Sequence, residues 1–202
     1  MKKFLPQFLI LISTILIFPS CTTTGSSTPI KTSTPSNTTK HFKVDSDNLY
    51  KQGLELYNKK YFLQAAQDFR QAAKQNHAEA QFKLARMYFD GKGVAKDFNQ
   101  TIKWYRKAAK LGHLEAQVEL ASVYRFGVGG VAKDLTQATQ WYQKAAKQGS
   151  VDAQLSLGVM YYKGIEIKQD LQLAKKWLSL AAKQGNEDAI SVLEQVNLKL
   201  AE

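Results

Sequence analysis

Residues 114–150 read LEAQVELASVYRFGVGGVAKDLTQATQWYQKAAKQGS, and the fold turns on whether this stretch stands alone. It does not. AEAQFKLARMYFDGKGVAKDFNQTIKWYRKAAKLGH occupies 78–113, and VDAQLSLGVMYYKGIEIKQDLQLAKKWLSLAAKQGN occupies 151–186. The equivalent alanines Ala80, Ala116, Ala153 and Ala189 lie 36, 37 and 36 residues apart. A fixed period between about 20 and 50 residues marks a solenoid, in which a unit buries its apolar face only against its neighbours.

Each unit holds two blocks of helical periodicity. In 78–113 the first block is carried by Phe82, Leu84, Ala85 and Tyr88, the second by Ile102, Trp104, Tyr105, Ala108 and Ala109. Asp97, Asp134 and Asp170 each precede a second block, where a carboxylate can accept from the free N–H groups of a helix start. Gly112, Gly149 and Gly185 follow those blocks, where a left-handed residue closes a helix. Every unit is therefore expected to be a helix hairpin. Alanine pairs at 72–73, 108–109, 145–146 and 181–182 let hairpins approach closely, and Trp104, Trp141 and Trp177 recur beside them as packing residues.

The segment FGVGGVAKD at 126–134 superficially suits a phosphate-cradling loop. Such a loop follows a buried strand and carries Ser or Thr beside its lysine. Here Asp134 follows Lys133, no β-branched run precedes the glycines, and the counterparts FDGKGVAKD (89–97) and YKGIEIKQD (162–170) drift in sequence. The glycines read as turn formers between two helices, the next Val or Ile as an apolar anchor, and the aspartate as the cap of the second helix.

These residues carry a family resemblance. Residues 78–113, 114–150 and 151–186 resemble Sel-1-like repeats, a branch of the tetratricopeptide superfamily, through A-x-x-x-L-(A/G)-x-x-Y, G-x-G-V, Asp, Trp-Tyr, K-A-A and a closing Gly. Thr101 stands at an alanine position, Gly130 is an extra residue, and Glu166 replaces the second loop glycine. Residues 46–77 are similar to an ordinary tetratricopeptide unit, with 12 residues from Gly53 to Ala65 where later units have 16 or 17. Residues 187–202 repeat a first helix and are expected to cap the array. The resemblance implies an all-α, right-handed α/α solenoid of stacked helix-turn-helix repeats.

It also implies a scaffold that binds a protein or peptide on the concave face formed by the first helix of each unit. The exposed positions implied are Glu79, Phe82, Arg86, Phe89 and Asp90, then Glu115, Val118, Ser122, Arg125 and Phe126, then Asp152, Leu155, Val159, Tyr162 and Lys163. Among them Arg86, Phe89, Arg125 and Tyr162 are the expected partner-binding residues, because arginine and aromatic side chains dominate interface hot spots.

The amino terminus has another role. MKKFLPQFLILISTILIFPS pairs Lys2 and Lys3 with an apolar run from Phe4 to Phe18, so residues 1–20 read as a signal peptide, the run being shorter than the roughly 20 residues a spanning helix needs. ILIFPSC resembles the bacterial lipoprotein signal. That resemblance makes Cys21, the sole cysteine, the acylated first residue and membrane anchor, and where enteric sorting rules apply Thr22 after it implies the outer membrane. The alternative is an exported chain without lipid. Residues 21–44, rich in Thr, Ser and Pro, form an expected flexible tether.

The chain carries 28 Lys plus Arg and 17 Asp plus Glu, a formal charge of +11. From Ser46 onward there are 23 against 16, with both signs spread along the chain, which speaks for a solvated basic surface able to rest near anionic lipid or cell-wall polymer and against nucleic acid. Catalytic chemistry has little to work with. His41 lies in the tether, while His77 and His113 share one repeat position and cannot converge on a metal or substrate. Glu187 and Asp188 sit at a helix start, where the dipole accounts for them. The expectation is a non-enzyme without cofactor or metal: a lipid-anchored interaction module of a bacterial envelope, or alternatively a cell-wall-acting, glycan-binding protein in contact with peptidoglycan.

Overall fold

The computed structural model describes residues 45–164 and 167–202; Cys21, the tether, Ile165 and Glu166 lie outside them. Phe42–Glu202 forms one compact unit, divided from Met1–His41. Among the described residues the elements are α1 (Ser46–Asn58), α2 (Phe62–Lys74), α3 (Ala78–Asp90), α4 (Phe98–Lys110), α5 (Leu114–Phe126), α6 (Leu135–Lys147), α7 (Val151–Lys163), α8 (Leu171–Lys183) and α9 (Glu187–Ala201). A 3-10 turn at Val128–Gly130 lies between α5 and α6, and no strand occurs among these residues. Each odd helix packs on the even helix after it, and each even helix on the next odd one, ending with α9 against α8 and α7. The chain is a right-handed α/α solenoid of stacked hairpins.

The caps explain why the helices start where they do. The carboxylates of Asp97, Asp134 and Asp170 accept from the N–H groups of Gln100, Gln137 and Leu173 at 3.0, 2.9 and 2.8 Å. The N–H of each aspartate in turn donates to the carbonyl of Tyr88, Tyr124 or Tyr161, closing the loop across the hairpin. Gly91, Gly127 and Gly164 end the odd helices at φ of 74, 70 and 63°. The loop anchors Val94, Val131 and Ile167 pack against the core. The glycine-rich segment thus joins two helices, as its sequence implies.

Odd helices are capped differently. His77 and His113 accept from the N–H groups of Ala80 and Ala116 through Nδ1, both at 3.2 Å, and Ser150 and Asn186 do the same for Ala153 and Ala189. An Nδ1 that accepts leaves the ring proton on Nε2. That nitrogen faces Asp47 at 3.3 Å in His77 and Glu79 at 3.2 Å in His113, the latter at ion-pair distance without hydrogen-bond geometry. Tyr50 and Phe82 lie over the two rings, each with centroids 4.5 Å apart.

The core repeats with the sequence. Ala80, Leu84, Ala85, Ala116, Leu120, Ala121, Ala153 and Leu157 are fully buried, as are Ala72, Ala108, Ala145 and Ala181 on the even helices. Thr101, at an alanine position, is also buried, and its hydroxyl donates to the carbonyl of Asp97 at 2.9 Å.

A buried polar ladder threads this core. Gln81, Gln117 and Gln154 each donate Nε2 to the carbonyl of an alanine ending the preceding even helix (Ala73, Ala109 and Ala146) at 3.0 to 3.1 Å. The Oε1 atoms of Gln117 and Gln154 accept from Gln148 and Gln184 at 2.7 and 2.8 Å. At Gln81 the place of those partners falls to Leu111, which is half-exposed, and Oε1 is buried without a partner. Leu111→Gln should therefore stabilise the protein by about 0.5–1.5 kcal/mol, read as a higher urea midpoint at unchanged m-value. An unchanged or lower midpoint would refute the ladder's contribution.

Candidate functional site

The odd helices bring aromatic and cationic side chains together between the first two hairpins. Tyr57 of α1, Phe82, Lys83, Arg86 and Asp90 of α3, and Lys92 of the following loop line a cleft of 220 Å³. Lys92 Nζ lies 3.5 Å from the Tyr57 hydroxyl and 3.3 Å from Asp90 Oδ2. The Tyr57 hydroxyl, then Asp90, push the Lys92 ammonium's pKa up. Arg86 Nη1 lies 3.5 Å from Glu119 Oε1 on α5, bridging neighbouring units, and both side chains are nearly half-exposed. The cleft offers two ring faces and three cations against one carboxylate, suited to a side chain or chain end that is acidic, aromatic or both.

The four expected partner-binding residues are not one cluster. Arg86 is in the cleft. Phe89, Arg125 and Tyr162 occupy one repeat position at the ends of α3, α5 and α7, forming a column along the array. Phe89 is 39% exposed, meets Phe98 edge-on at 5.7 Å, and has Lys96 Nζ 5.6 Å above its ring. The Arg125 guanidinium lies 5.0 Å over the Phe126 ring, which is 63% exposed. Tyr162 donates to Gln195 Oε1 on α9 at 3.3 Å and lies beneath Lys199. Sequence reasoning missed Tyr57, which holds the same position in the first hairpin and meets Phe62 edge-on as Phe89 meets Phe98. Its signal is present 32 residues before Phe89, disguised by the shorter loop of that hairpin.

Comparison with known proteins fits this architecture. Residues 78–113, 114–150 and 151–186 each match the Sel1 repeat. The chain belongs to the Sel1 repeat family. A crystal structure of c5321, a protective antigen present in uropathogenic Escherichia coli strains and displaying an SLR fold, is 34% identical with a TM-score of 0.66, over 70% of this chain and 31% of that one. A Sel1 repeat protein from Oxalobacter formigenes is 40% identical with a TM-score of 0.60, over 64% of this chain and 96% of that one. The present chain thus spans about a third of the E. coli antigen. Comparison with curated proteins gives no match. Sel1 repeat proteins generally mediate protein–protein interactions and are generally not catalytic.

In this Sel1 repeat protein, the described residues contain no group of three His, Cys, Asp or Glu placed to hold a metal ion. None of the described helices is long and apolar enough to cross a membrane. Burial, reinforced by Glu119, raises the pKa of Tyr105, so this hydroxyl stays protonated.

Charge is distributed differently from the impression the linear sequence gives. The even helices α2, α4, α6 and α8 carry eleven lysines and arginines and a single carboxylate, Asp68, a net of +10. The odd helices carry six cations and ten carboxylates, a net of −4. Both signs occur along the chain, but folding sorts them between two layers of helices. Desolvation raises the pKa of Asp68, which weakens the one negative charge of the even layer further as pH falls.

Proposed function

We propose that this Sel1 repeat protein is a lipid-anchored scaffold of a bacterial cell envelope, held through Cys21 at the outer membrane and facing the periplasm, which binds a protein or peptide on its odd-helix layer. One observation carries the binding surface. A constant framework of buried alanines, leucines and capped helices displays a changing set of accessible residues: the exposed Arg86 in the cleft, and beside it the column of exposed Phe89 and half-buried Tyr57, Arg125 and Tyr162. A framework that repeats while its surface varies is suited to recognising an extended partner unit by unit.

The partner is sought by crosslinking in the native cell and mass spectrometry, followed by pull-down with Arg86→Glu and Arg125→Glu combined. Capture should fall about tenfold or more, as expected when hot-spot cations are reversed. The melting temperature should hardly move, because the Arg86–Glu119 pair is largely solvated and worth at most about 1 kcal/mol. Full capture by the double variant would refute this face. The anchor has its own test: metabolic labelling with palmitate should mark the wild type and not Cys21→Ser, and equal labelling of both would refute acylation.

A further inference from the structure

The even-helix layer has no part in that reading, and its charge calls for a partner of its own. We propose that this layer is a docking face for a bilayer surface rich in anionic phospholipid, so that the solenoid lies with its even helices on the membrane and its odd helices turned away.

The lysines of this layer are periodic and accessible. Lys74, Lys110, Lys147 and Lys183 occupy one repeat position on four successive even helices, and all four are exposed. A lysine in the last turn of a helix is favoured by the dipole, which accounts for Lys74, Lys107, Lys110, Lys144, Lys147 and Lys183. It does not account for Lys103, Lys175 and Lys176, which lie before the last turn, and Lys103, Lys107, Lys144, Lys175 and Lys176 are all exposed. None of the nine forms an ion pair with a carboxylate among the described residues.

The cations of the layer are mostly lysines that point outward. The two arginines of the layer are engaged within the fold, Arg70 donating to the Tyr88 hydroxyl and Arg106 to the Tyr124 hydroxyl, both at 2.8 Å. Apart from Arg106, the exposed cations of these four helices are lysines. Ammonium groups on flexible stems act as point charges and can follow mobile anionic headgroups, with each Lys or Arg near such a surface contributing alike. The aromatic rings of the layer do not reach outward to insert into lipid: Trp104, Trp141 and Trp177 are 6–8% exposed and have lysine ammoniums above them at 4.0 to 5.9 Å. The contact is thus electrostatic and sensitive to salt.

The chain also supplies proximity. If anchored as proposed above, Cys21 lies only 25 residues before Ser46, where the first helix begins, which holds the solenoid at high effective concentration beside the membrane. The inference rests on the anchor only for this proximity.

The unit Phe42–Glu202 holds the described core within itself, so it can be tested without the apolar amino terminus. At low ionic strength it should sediment with phosphatidylcholine vesicles containing about 30 mol % phosphatidylglycerol, not with phosphatidylcholine alone, and added salt should release it. A lysine near an anionic surface is worth about fivefold in partitioning, so Lys74→Gln, Lys110→Gln, Lys147→Gln and Lys183→Gln together should reduce binding about a hundredfold or more. Lys51→Gln, Lys59→Gln, Lys60→Gln and Lys199→Gln remove the same charge from the odd helices and their ends, and should change it far less. Equal losses from the two sets would mean that net charge is sensed rather than a face, and would overturn the proposal. So would absence of binding to anionic vesicles, or binding to purified peptidoglycan without binding to vesicles. Failure of the anchor would show in palmitate labelling and leave this assay unchanged.

Discussion

Phe69→Ala should destabilise the protein by about 3–5 kcal/mol, the usual cost of emptying a buried phenylalanine site. The Phe69 ring is fully buried, with Tyr50 and Tyr57 at centroid distances of 5.8 and 6.5 Å. It occupies space left by a missing side chain: a Cβ added to Gly53 would lie 2.7 Å from Phe69 Cε1. The last hairpin has the same close approach, where a Cβ added to Gly158 would lie 2.5 Å from Leu178 Cγ. Gly53 therefore leaves the room that the Phe69 ring fills, which predicts a change of sign. Gly53→Ala alone should cost about 1–3 kcal/mol through overpacking. In the Phe69→Ala background it should instead add up to about 1 kcal/mol, since alanine is the better helix former and fills part of the cavity. Thermal unfolding would read this as melting shifts of about 2–4 °C per kcal/mol for a body of this size. The same cost for Gly53→Ala in both backgrounds would show that the two sites are not coupled.

The hairpins, loops and caps were legible because each repeats a residue type whose role is local. Asp134 needs only the three residues after it to act as a cap, and the alanine pairs need only to be small. Gln81, Gln117 and Gln154 recur just as regularly, yet their role was hidden. A glutamine in a helix is ordinarily a surface residue, and the alanine carbonyl it satisfies belongs to the preceding hairpin. The sorting of charge was hidden for a related reason: a count along the chain averages over two layers of helices. On the odd face, aligning units placed Phe89, Arg125 and Tyr162 in one position, but the pairing of Arg86 with Glu119 joins separate units and has no local signature. The first hairpin was the least legible. Its link, Lys59–Tyr61, is so short that Lys60 takes φ 65°, and the altered spacing removed Tyr57 from register with the residues it accompanies.

The loop glycines are the remaining place where sequence spoke for only half of the physics, and Gly93→Ala isolates the other half. As turn formers these glycines need only left-handed backbone, which costs another residue about 1–2 kcal/mol. Gly130, at φ 83°, faces open space, so Gly130→Ala should cost about that and no more. Gly93, at φ 68°, has a second constraint: a Cβ there would lie 2.2 Å from the carbonyl oxygen of Phe62 and 2.7 Å from the nitrogen of Leu63. Both atoms are backbone at the start of α2, so no rotamer change relieves the clash. Gly93→Ala should therefore destabilise by about 3–5 kcal/mol, the left-handed cost plus that of pushing two hairpins apart. The loop of the second hairpin lies directly on the even helix of the first, and Gly129 repeats the arrangement one unit later, with an added Cβ 2.8 Å from the Cβ of Phe98. The glycine-rich loop thus packs units together as well as turning the chain. Urea titration of Gly93→Ala beside Gly130→Ala decides the matter: equal losses would reduce Gly93 to a turn former, whereas a loss greater by about 2 kcal/mol or more establishes it as an inter-repeat contact.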